Sequence, residues 1–235
     1  MKAVFVHGFG CWAADWDQTV NSLSGELDCI AVDLAGHGAR AAESGPYTLH
    51  GAAREIADRL KDERAILVGH SMGTRIVTEI AGAAPEVAGA LVLVDGSCVP
   101  GEPDPDPVLD LDEAALFGLS PEQRQGVVER VKRLPPDAAR GYLNDMARWD
   151  REEAEFHIRA VRCPVRLVQS TNYTRPPDCR RLPISEQSDS LWFDFWSQTE
   201  HCVIDRVENA GHYLPIERPE AVTAAVRSTL TAIAS

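Results

Sequence analysis

Six short apolar runs recur along the chain, and helical patterns separate most of them. The runs cover residues 3–6, 29–32, 65–68, 90–94, 165–168 and 202–207. A short, continuously apolar run is consistent with a strand that is buried on both faces. Strands of this kind that alternate with helices predict an α/β fold, with a mostly parallel sheet of about six strands and helices on both faces.

Helical spacing of apolar residues is clearest behind Thr48 and near the end of the chain. It runs from Leu49 to Leu60, and it resumes in a final helix that Pro219 begins. A third helix is predicted for residues 74–84. A fourth apolar stripe at helical spacing consists of Leu191, Trp192, Phe195 and Trp196. Such a stripe is usually part of the core, and the alternative is an apolar pocket for a substrate.

The interval 101–162 breaks the alternation of strands and helices. Residues 101–112 are acidic and rich in proline, and helical patterns then begin at Ser120-Pro121 and at Asp137. Because the interval falls between two strands, it predicts a small helical cap over the site. We therefore divide the chain into a core of residues 1–100 and 163–235 and a cap of residues 101–162. The alternative is an ordinary long crossover through a pair of helices.

Length and charge narrow the classes of protein. The 235 residues suit one large α/β domain, and the net charge of −13 argues against nucleic acid or an anionic membrane surface as a partner. No stretch approaches the roughly 18 apolar residues of a membrane span. The apolar run at residues 2–6 is too short for a signal peptide and predicts the first strand. The six cysteines lack metal or disulfide spacing, which predicts free thiols in a cytoplasmic protein. We expect neither a metal nor a cofactor. The oligomeric state, monomer or homodimer, stays open.

The segment around Ser71 holds the strongest chemical motif. It reads Gly69-His70-Ser71-Met72-Gly73 and joins a predicted buried strand to a predicted helix. A serine on such a sharp strand-to-helix turn has its hydroxyl exposed, and the turn needs small neighbours where strand and helix cross. We interpret Ser71 as a catalytic nucleophile. The alternative is a purely structural turn.

A serine nucleophile needs a base within hydrogen-bond reach, and seven histidines compete for this role. His212 lies in a loop between the last predicted strand and the last predicted helix, where the carboxyl ends of a parallel sheet meet. We expect His212 to be the base. We expect His70 to pack away from Ser71.

The other five histidines are less suited to the role of base. We expect His7 to brace its loop and His37 and His50 to be structural. His157 and His201 lie in no motif.

A developing oxyanion needs two hydrogen-bond donors. The loop His7-Gly8-Phe9-Gly10 follows the first predicted strand, and Met72 follows the nucleophile. The backbone N–H groups of Phe9 and Met72 are the predicted pair.

With these residues the chain resembles an α/β-hydrolase fold enzyme over nearly its full length. The resemblance depends on four motifs in the family's order: residues 7–10, residues 33–38, residues 69–73, and Gly211-His212 before Pro219-Glu220. It implies acyl transfer to Ser71, a tetrahedral intermediate held by two backbone N–H groups, and hydrolysis assisted by His212.

The third member of the triad departs from the family pattern. Family members usually place an aspartate just after the strand before the last, but here that turn reads Gln169-Ser-Thr-Asn-Tyr173. Some members take the acid from the end of the preceding strand, where this chain has Asp95. We expect Asp95 to be the acid. Asp178 and the absence of any functional carboxylate are the alternatives, and Asp95 could also simply bind loop N–H groups.

The predicted function is a serine hydrolase, similar to carboxylesterases, for esters of small to medium acyl chains. Candidate residues for the small-molecule acyl substrate are Phe9, Trp12, Met72 and Arg75. Some motifs also resemble cofactor-independent lyases of menaquinone biosynthesis, in which Arg75 would bind an anionic substrate. Lactone, thioester or carbon–carbon bond hydrolysis would use the same machinery, and a non-catalytic ligand receptor would require a vestigial triad.

Overall fold

The computed structural model describes residues 1–61, 63–107, 111, 113–184 and 189–234. Within these residues the strands are β1 Lys2–Val6, β2 Asp28–Val32, β3 Ala65–His70, β4 Ala88–Val94, β5 Val165–Gln169, β6 Thr171–Tyr173, β7 Arg181–Pro183 and β8 Cys202–Arg206. Six of them form one sheet in the order β2-β1-β3-β4-β5-β8, and all neighbours in it are parallel. This confirms the predicted fold class, and each of these strands begins and ends within two residues of its prediction.

The helices alternate with these strands. They are α1 Asp17–Leu23, α2 Leu49–Leu60, α3 Met72–Ala83, α4 Pro121–Lys132, α5 Pro136–Glu152, α6 Ala154–Ala160, α7 Leu191–Ser197, α8 Leu214–Glu217 and α9 Pro219–Ala234. Single 3-10 turns cover Ala13–Trp16 and Gly38–Arg40. The hydroxyl of Thr48 caps α2 by accepting a hydrogen bond from the N–H of Gly51 at 3.0 Å, which explains why this helix begins at Leu49. Ser120 caps α4 in the same way.

Two hydrophobic layers cover the two faces of the sheet. One contains Leu67, Leu91 and Leu93 of the strands together with the apolar faces of α2 and α3. The other contains Phe5, Val68 and Val92 together with the apolar faces of α1 and α9. The stripe at residues 191–196 belongs to the first layer, because Trp192 and Trp196 in α7 are fully buried there. Its interpretation as core is therefore confirmed.

The chain between β4 and β5 contributes α4, α5 and α6. The first helix, α4, lies over the loop that follows β1, where Arg130 Nη1 is 2.9 Å from Asp15 Oδ1. Helix α5 contacts α2 and α3, and α6 packs against α3. Of the acidic, proline-rich stretch, residues 108–110 and 112 lie outside the described residues. The separation of residues 101–162 as a cap stays a prediction.

The length and hydropathy of the helices bear on membrane insertion. Among the described residues, none of the helices is both long enough and apolar enough to cross a membrane.

Candidate active site

Ser71 lies on the turn between β3 and α3. Its φ of 51° is unusual for a residue with a side chain, as expected of a strained nucleophile turn. Gly69 and Gly73 permit the turn, because a Cβ on Gly69 would lie 2.4 Å from the carbonyl oxygen of Gly73, and one on Gly73 would lie 2.3 Å from that of Val6. The close crossing of strand and helix therefore requires glycine at both positions.

His212 lies in the loop between β8 and α8. Its Nε2 is 2.9 Å from Ser71 Oγ, so the imidazole is within hydrogen-bond distance of the hydroxyl. The backbone of His212 is held from both sides. Its N–H donates to the carbonyl of Ala115, and its own carbonyl accepts from Nε2 of His70 at 2.8 Å. His70 is thus more than the packing residue that the sequence suggested, because it fixes the loop of the candidate base.

Asp95 follows β4 and is fully buried. Its Oδ2 is 2.6 Å from Nδ1 of His212, and its Oδ1 accepts hydrogen bonds from the backbone N–H groups of Ser170 and Thr171, each at 2.8 Å. These bonds fix the carboxylate toward the imidazole. Asp178, the alternative acid, is exposed in the turn between β6 and β7. The geometry therefore groups Ser71 and His212 with Asp95.

Arg181 is a member of the site that the sequence reasoning missed. It lies on β7, in a short antiparallel hairpin with β6, and its side chain is only 6% exposed. Its Nη1 lies 2.9 Å from Nδ1 of His212 and 3.3 Å from Oδ2 of Asp95, and it donates to Thr171 Oγ1 at 2.9 Å. The guanidinium lies 4.4 Å from the ring centre of Tyr173. The site therefore holds a buried positive charge beside the candidate base His212.

The contacts of Nδ1 determine the tautomer of His212. A separation of 2.6 Å from a carboxylate oxygen requires a shared proton, so Nδ1–H donates to Asp95 and the Nε2 lone pair faces Ser71. Burial first and then the charge of Arg181 lower the pKa of His212 to about 4, although Asp95 opposes this shift. The imidazole is therefore neutral near pH 7 and can accept a proton from Ser71.

The pKa of Asp95 also favours this arrangement. Burial alone would raise the pKa of its carboxyl group, but the hydrogen bond from His212, together with the charge of Arg181, holds the pKa below its usual value. Asp95 is therefore ionised and can stabilise an imidazolium at His212.

The backbone N–H groups of Phe9 and Met72 lie in the two segments that flank Ser71. Met72 is the first residue of α3, where an N–H group has no partner within the helix. Neither N–H donates to another described residue. The loop before Phe9 approaches the nucleophile closely, since a Cβ on Gly8 would lie 3.0 Å from the Cβ of Ser71. Both donors are thus available to an oxyanion.

His7 and His37 hold the loops around this site. Nε2 of His7 accepts from the N–H of Leu34 at 3.1 Å, and Nε2 of His37 accepts from the N–H of Gly10 at 3.2 Å. Burial lowers the pKa of His37 to about 4, so its ring is neutral. These contacts agree with the structural roles expected for both residues.

A cavity of about 230 Å³ opens beside Ser71. Its apolar wall includes Val99 and, from α5, Leu143, Met146 and Ala147, and its polar wall includes Arg181 and Tyr173. The described residues that line it do not include Phe9, Trp12 or Met72. The Met72 side chain is fully buried in the core, and Trp12 lines a separate cavity next to Arg130. Of the four residues expected to contact substrate, the structure brings only Arg75 to the cavity beside Ser71.

Arg75 lines this cavity, but its charge already has a partner. Its Nε and Nη2 donate to the two carboxylate oxygens of Asp150 at 2.8 and 2.6 Å, and the two side chains are only 5% and 2% exposed. Asp150 also accepts from the N–H of Val99 at 2.7 Å. The ion pair ties α3 to α5 and leaves Arg75 poorly placed to bind a substrate carboxylate.

Comparison with known proteins places this site in a family. The chain is 36% identical over 94 residues to a pimeloyl-[acyl-carrier protein] methyl ester esterase of Vibrio parahaemolyticus, a match that covers 40% of this chain and 36% of that protein. The match thus spans only about a third of that relative's length. An alignment of 269 positions with an esterase of Mycobacterium tuberculosis, Rv0045c, gives 28% identity. The alignment covers 97% of this chain and 82% of that protein.

A solved structure and a family model agree with these similarities. A hydrolase from Oleispira antarctica superposes with a TM-score of 0.76 at 15% identity, covering 98% of this chain and 91% of that one, which supports the fold alone. The model of the alpha/beta hydrolase family matches residues 3–226. This match spans the sheet, the turn at Ser71 and the loop of His212, and the chain therefore belongs to the alpha/beta hydrolase family.

Proposed function

We propose that this protein is a serine hydrolase that cleaves carboxylic esters through a covalent acyl-enzyme. The observation on which this depends most is the continuous chain of two hydrogen bonds, 2.9 Å from Ser71 to His212 and 2.6 Å from His212 to Asp95. The esterase names of two relatives support the same reaction class.

The proposed reaction proceeds in two halves. Ser71 Oγ attacks the ester carbonyl carbon while His212 Nε2 takes its proton, and the N–H groups of Phe9 and Met72 stabilise the oxyanion. The intermediate collapses, His212 returns the proton to the departing alkoxide, and an alcohol leaves. A water molecule then attacks the acyl-enzyme while His212 takes its proton, and His212 returns this proton to Ser71 Oγ as the carboxylic acid leaves. Asp95 stabilises the imidazolium in both halves.

The cavity indicates the size of the acyl group. A volume of about 230 Å³ falls below the range of about 300–1,000 Å³ that is usual for drug-sized ligands. Its apolar wall on α5 suits a hydrocarbon chain. We therefore propose esters of small to medium acyl chains as substrates.

The ion pair of Arg75 favours hydrolysis over the lyase alternative. A lyase that acts on an anionic substrate would need the Arg75 guanidinium free to bind it, but both oxygens of Asp150 already occupy it. A hydrolase of neutral esters needs no such free charge.

A fluorophosphonate probe tests the proposal directly. Intact-mass analysis should find one adduct per chain, and tryptic mapping should place it on Ser71. Ser71→Ala should abolish labelling and lower kcat on p-nitrophenyl esters by about 10⁴-fold or more. Ser97→Ala, which alters another hydroxyl lining the same cavity, should keep the adduct. A folded wild-type protein that takes up no probe and hydrolyses no ester would contradict the proposal.

A further inference from the structure

A second cluster of potential ligands lies on the far part of α3, away from Ser71. Glu79 belongs to α3, Glu153 joins α5 to α6, and His157 belongs to α6. One potential ligand atom from each residue lies within 4.8 Å of those of the other two. Glu79 is eight residues beyond Ser71, about 12 Å along the helix, so the cluster is separate from the candidate active site.

A buried carboxylate oxygen in this cluster has no partner among the described residues. The side chain of Glu79 is 3% exposed, and although its Oε1 bonds Nδ1 of His50 at 2.7 Å, its Oε2 is unpartnered. Leaving a buried carboxylate oxygen unsatisfied is costly, and a cation bound beside it would satisfy it.

The side chains of the cluster are held in place by their neighbours. Arg148 donates to Oε1 of Glu153, and the other oxygen, Oε2, faces Nε2 of His157 at 3.8 Å. The ring of His157 stacks on Trp149, with ring centres 6.0 Å apart and planes at 7°. In a tetrahedral site with metal–ligand bonds of about 2.0–2.2 Å, two ligand atoms lie about 3.4 Å apart. The 3.8 Å between Nε2 of His157 and Oε2 of Glu153 is close to this value, so Nε2 is the ring nitrogen that would bind the ion.

We propose that Glu79, Glu153 and His157 bind one divalent transition-metal ion, with Zn²⁺ as the best match. Imidazole and carboxylate donors together suit Zn²⁺, whereas Mg²⁺ and Ca²⁺ prefer oxygen donors alone. His50, which is 74% exposed beside Glu79, or a water molecule completes the coordination. The ion neutralises the buried carboxylate and ties α3, the helix that follows the nucleophile, to α6. Its role is structural.

Zinc binding to chelator-treated protein tests this site. Isothermal titration with Zn²⁺ should give one equivalent bound per chain, and the ion should raise the melting temperature. Glu79→Gln and His157→Gln should each weaken binding by about tenfold or more, since even changes outside the ligands can cost this much. Glu155→Gln and His201→Gln are matched controls. Glu155 is an exposed carboxylate on α6, the helix of His157, and His201 is an exposed imidazole elsewhere in the chain. Both controls should bind Zn²⁺ as the wild type does.

A second measurement needs only the wild-type protein. Co²⁺ in place of Zn²⁺ should give the visible absorption of a tetrahedral site with nitrogen and oxygen ligands, without a thiolate charge-transfer band. A thiolate band would assign the ion to cysteine and overturn the proposal. The absence of binding would also overturn it, leaving the unpartnered oxygen of Glu79 to a water molecule. Binding that survives in both Glu79→Gln and His157→Gln would do the same.

Discussion

Nη1 of Arg181 lies 2.9 Å from Nδ1 of His212, on the side of the imidazole that faces Asp95. The positive charge of the guanidinium disfavours a second positive charge on the imidazole. Asp95 has the opposite effect. The basicity of His212 therefore depends first on its burial and then on the balance between an anion and a cation next to the same nitrogen.

Removing the charge of Arg181 should shift the pH profile of hydrolysis. With the pKa of His212 lowered to about 4, kcat/KM should fall only as the pH drops through about 4. In Arg181→Gln one cause of the low pKa of His212 is removed while its burial remains, so the pKa should rise by about one unit and the acidic limb should move to higher pH. Steady-state kinetics on a p-nitrophenyl ester between about pH 3.5 and about pH 8 measures this shift, because that range contains the acidic limb.

Two variants serve as controls for this shift. Arg181→Lys keeps a positive charge and should shift the limb less. Arg180→Gln removes the charge of an exposed neighbour and should leave the limb unchanged. An unaltered limb in Arg181→Gln would mean that the arginine does not influence the base.

The assignment of the acid can be tested with a pair of aspartates. Asp95→Asn should lower kcat by about 10⁴-fold, because an amide neither holds the productive tautomer of His212 nor stabilises its cation. Asp178→Asn should have little effect, since Asp178 is exposed. Circular dichroism would show that both variants fold. If Asp178→Asn loses activity while Asp95→Asn retains it, the acid has been assigned to the wrong strand.

The ion pair of Arg75 with Asp150 should matter for stability. Arg75→Met leaves the Asp150 carboxylate buried without its cation and should lower the free energy of unfolding by about 3 kcal/mol in urea titrations. Arg75→Met combined with Asp150→Asn removes both charges and should be less destabilised than the single variant.

An exposed ion pair provides the comparison for this effect. Arg54 and Asp58 are 76% and 73% exposed, and Arg54→Met should hardly change stability. A similar loss in Arg54→Met and Arg75→Met would argue against a special role for the buried pair.

Residues of α5 should control the length of the acyl chain. Ala147→Leu fills part of the cavity beside Ser71 and should lower kcat/KM for butyrate and hexanoate esters relative to acetate. Leu143→Ala enlarges the cavity and should shift the preference toward longer chains. The ratio of kcat/KM values for two esters should change by about 10-fold for each methylene group that the cavity gains or loses. A panel of p-nitrophenyl esters measures both. Equal effects on all chain lengths would place the acyl group elsewhere.

The fold was predictable because its sheet is parallel and buried on both faces. Each strand then appears as an unbroken apolar run, and the six runs are found as the six strands of the sheet. The hairpin of β6 and β7 was missed, since its strands cover only Thr171–Tyr173 and Arg181–Pro183 and alternate too briefly to form a pattern. The beginning of α3 was placed two residues late, because Met72 and Gly73 belong to both the turn motif and the helix.

Candidate site residues could be proposed from the sequence where the chemistry is tied to a local motif. Ser71 and His212 were identified from turns whose neighbours are fixed by sterics and chain order. Arg181 was not, because its contact with His212 depends on how a hairpin folds back across the sheet edge, which a linear motif does not record. The ligands of the proposed metal site were missed for a similar reason, since Glu79, Glu153 and His157 come from different segments and share no characteristic spacing.

The position of Asp95 at the end of β4 has a consequence for how this enzyme could diversify. Strands β3 and β4 are direct neighbours at the centre of the sheet, so the proposed nucleophile and acid both follow central strands. The hairpin of β6 and β7 then does not need to supply the carboxylate. Its tip, beyond Tyr173, could accept insertions or deletions that reshape the entrance for new substrates while the reacting groups keep their alignment.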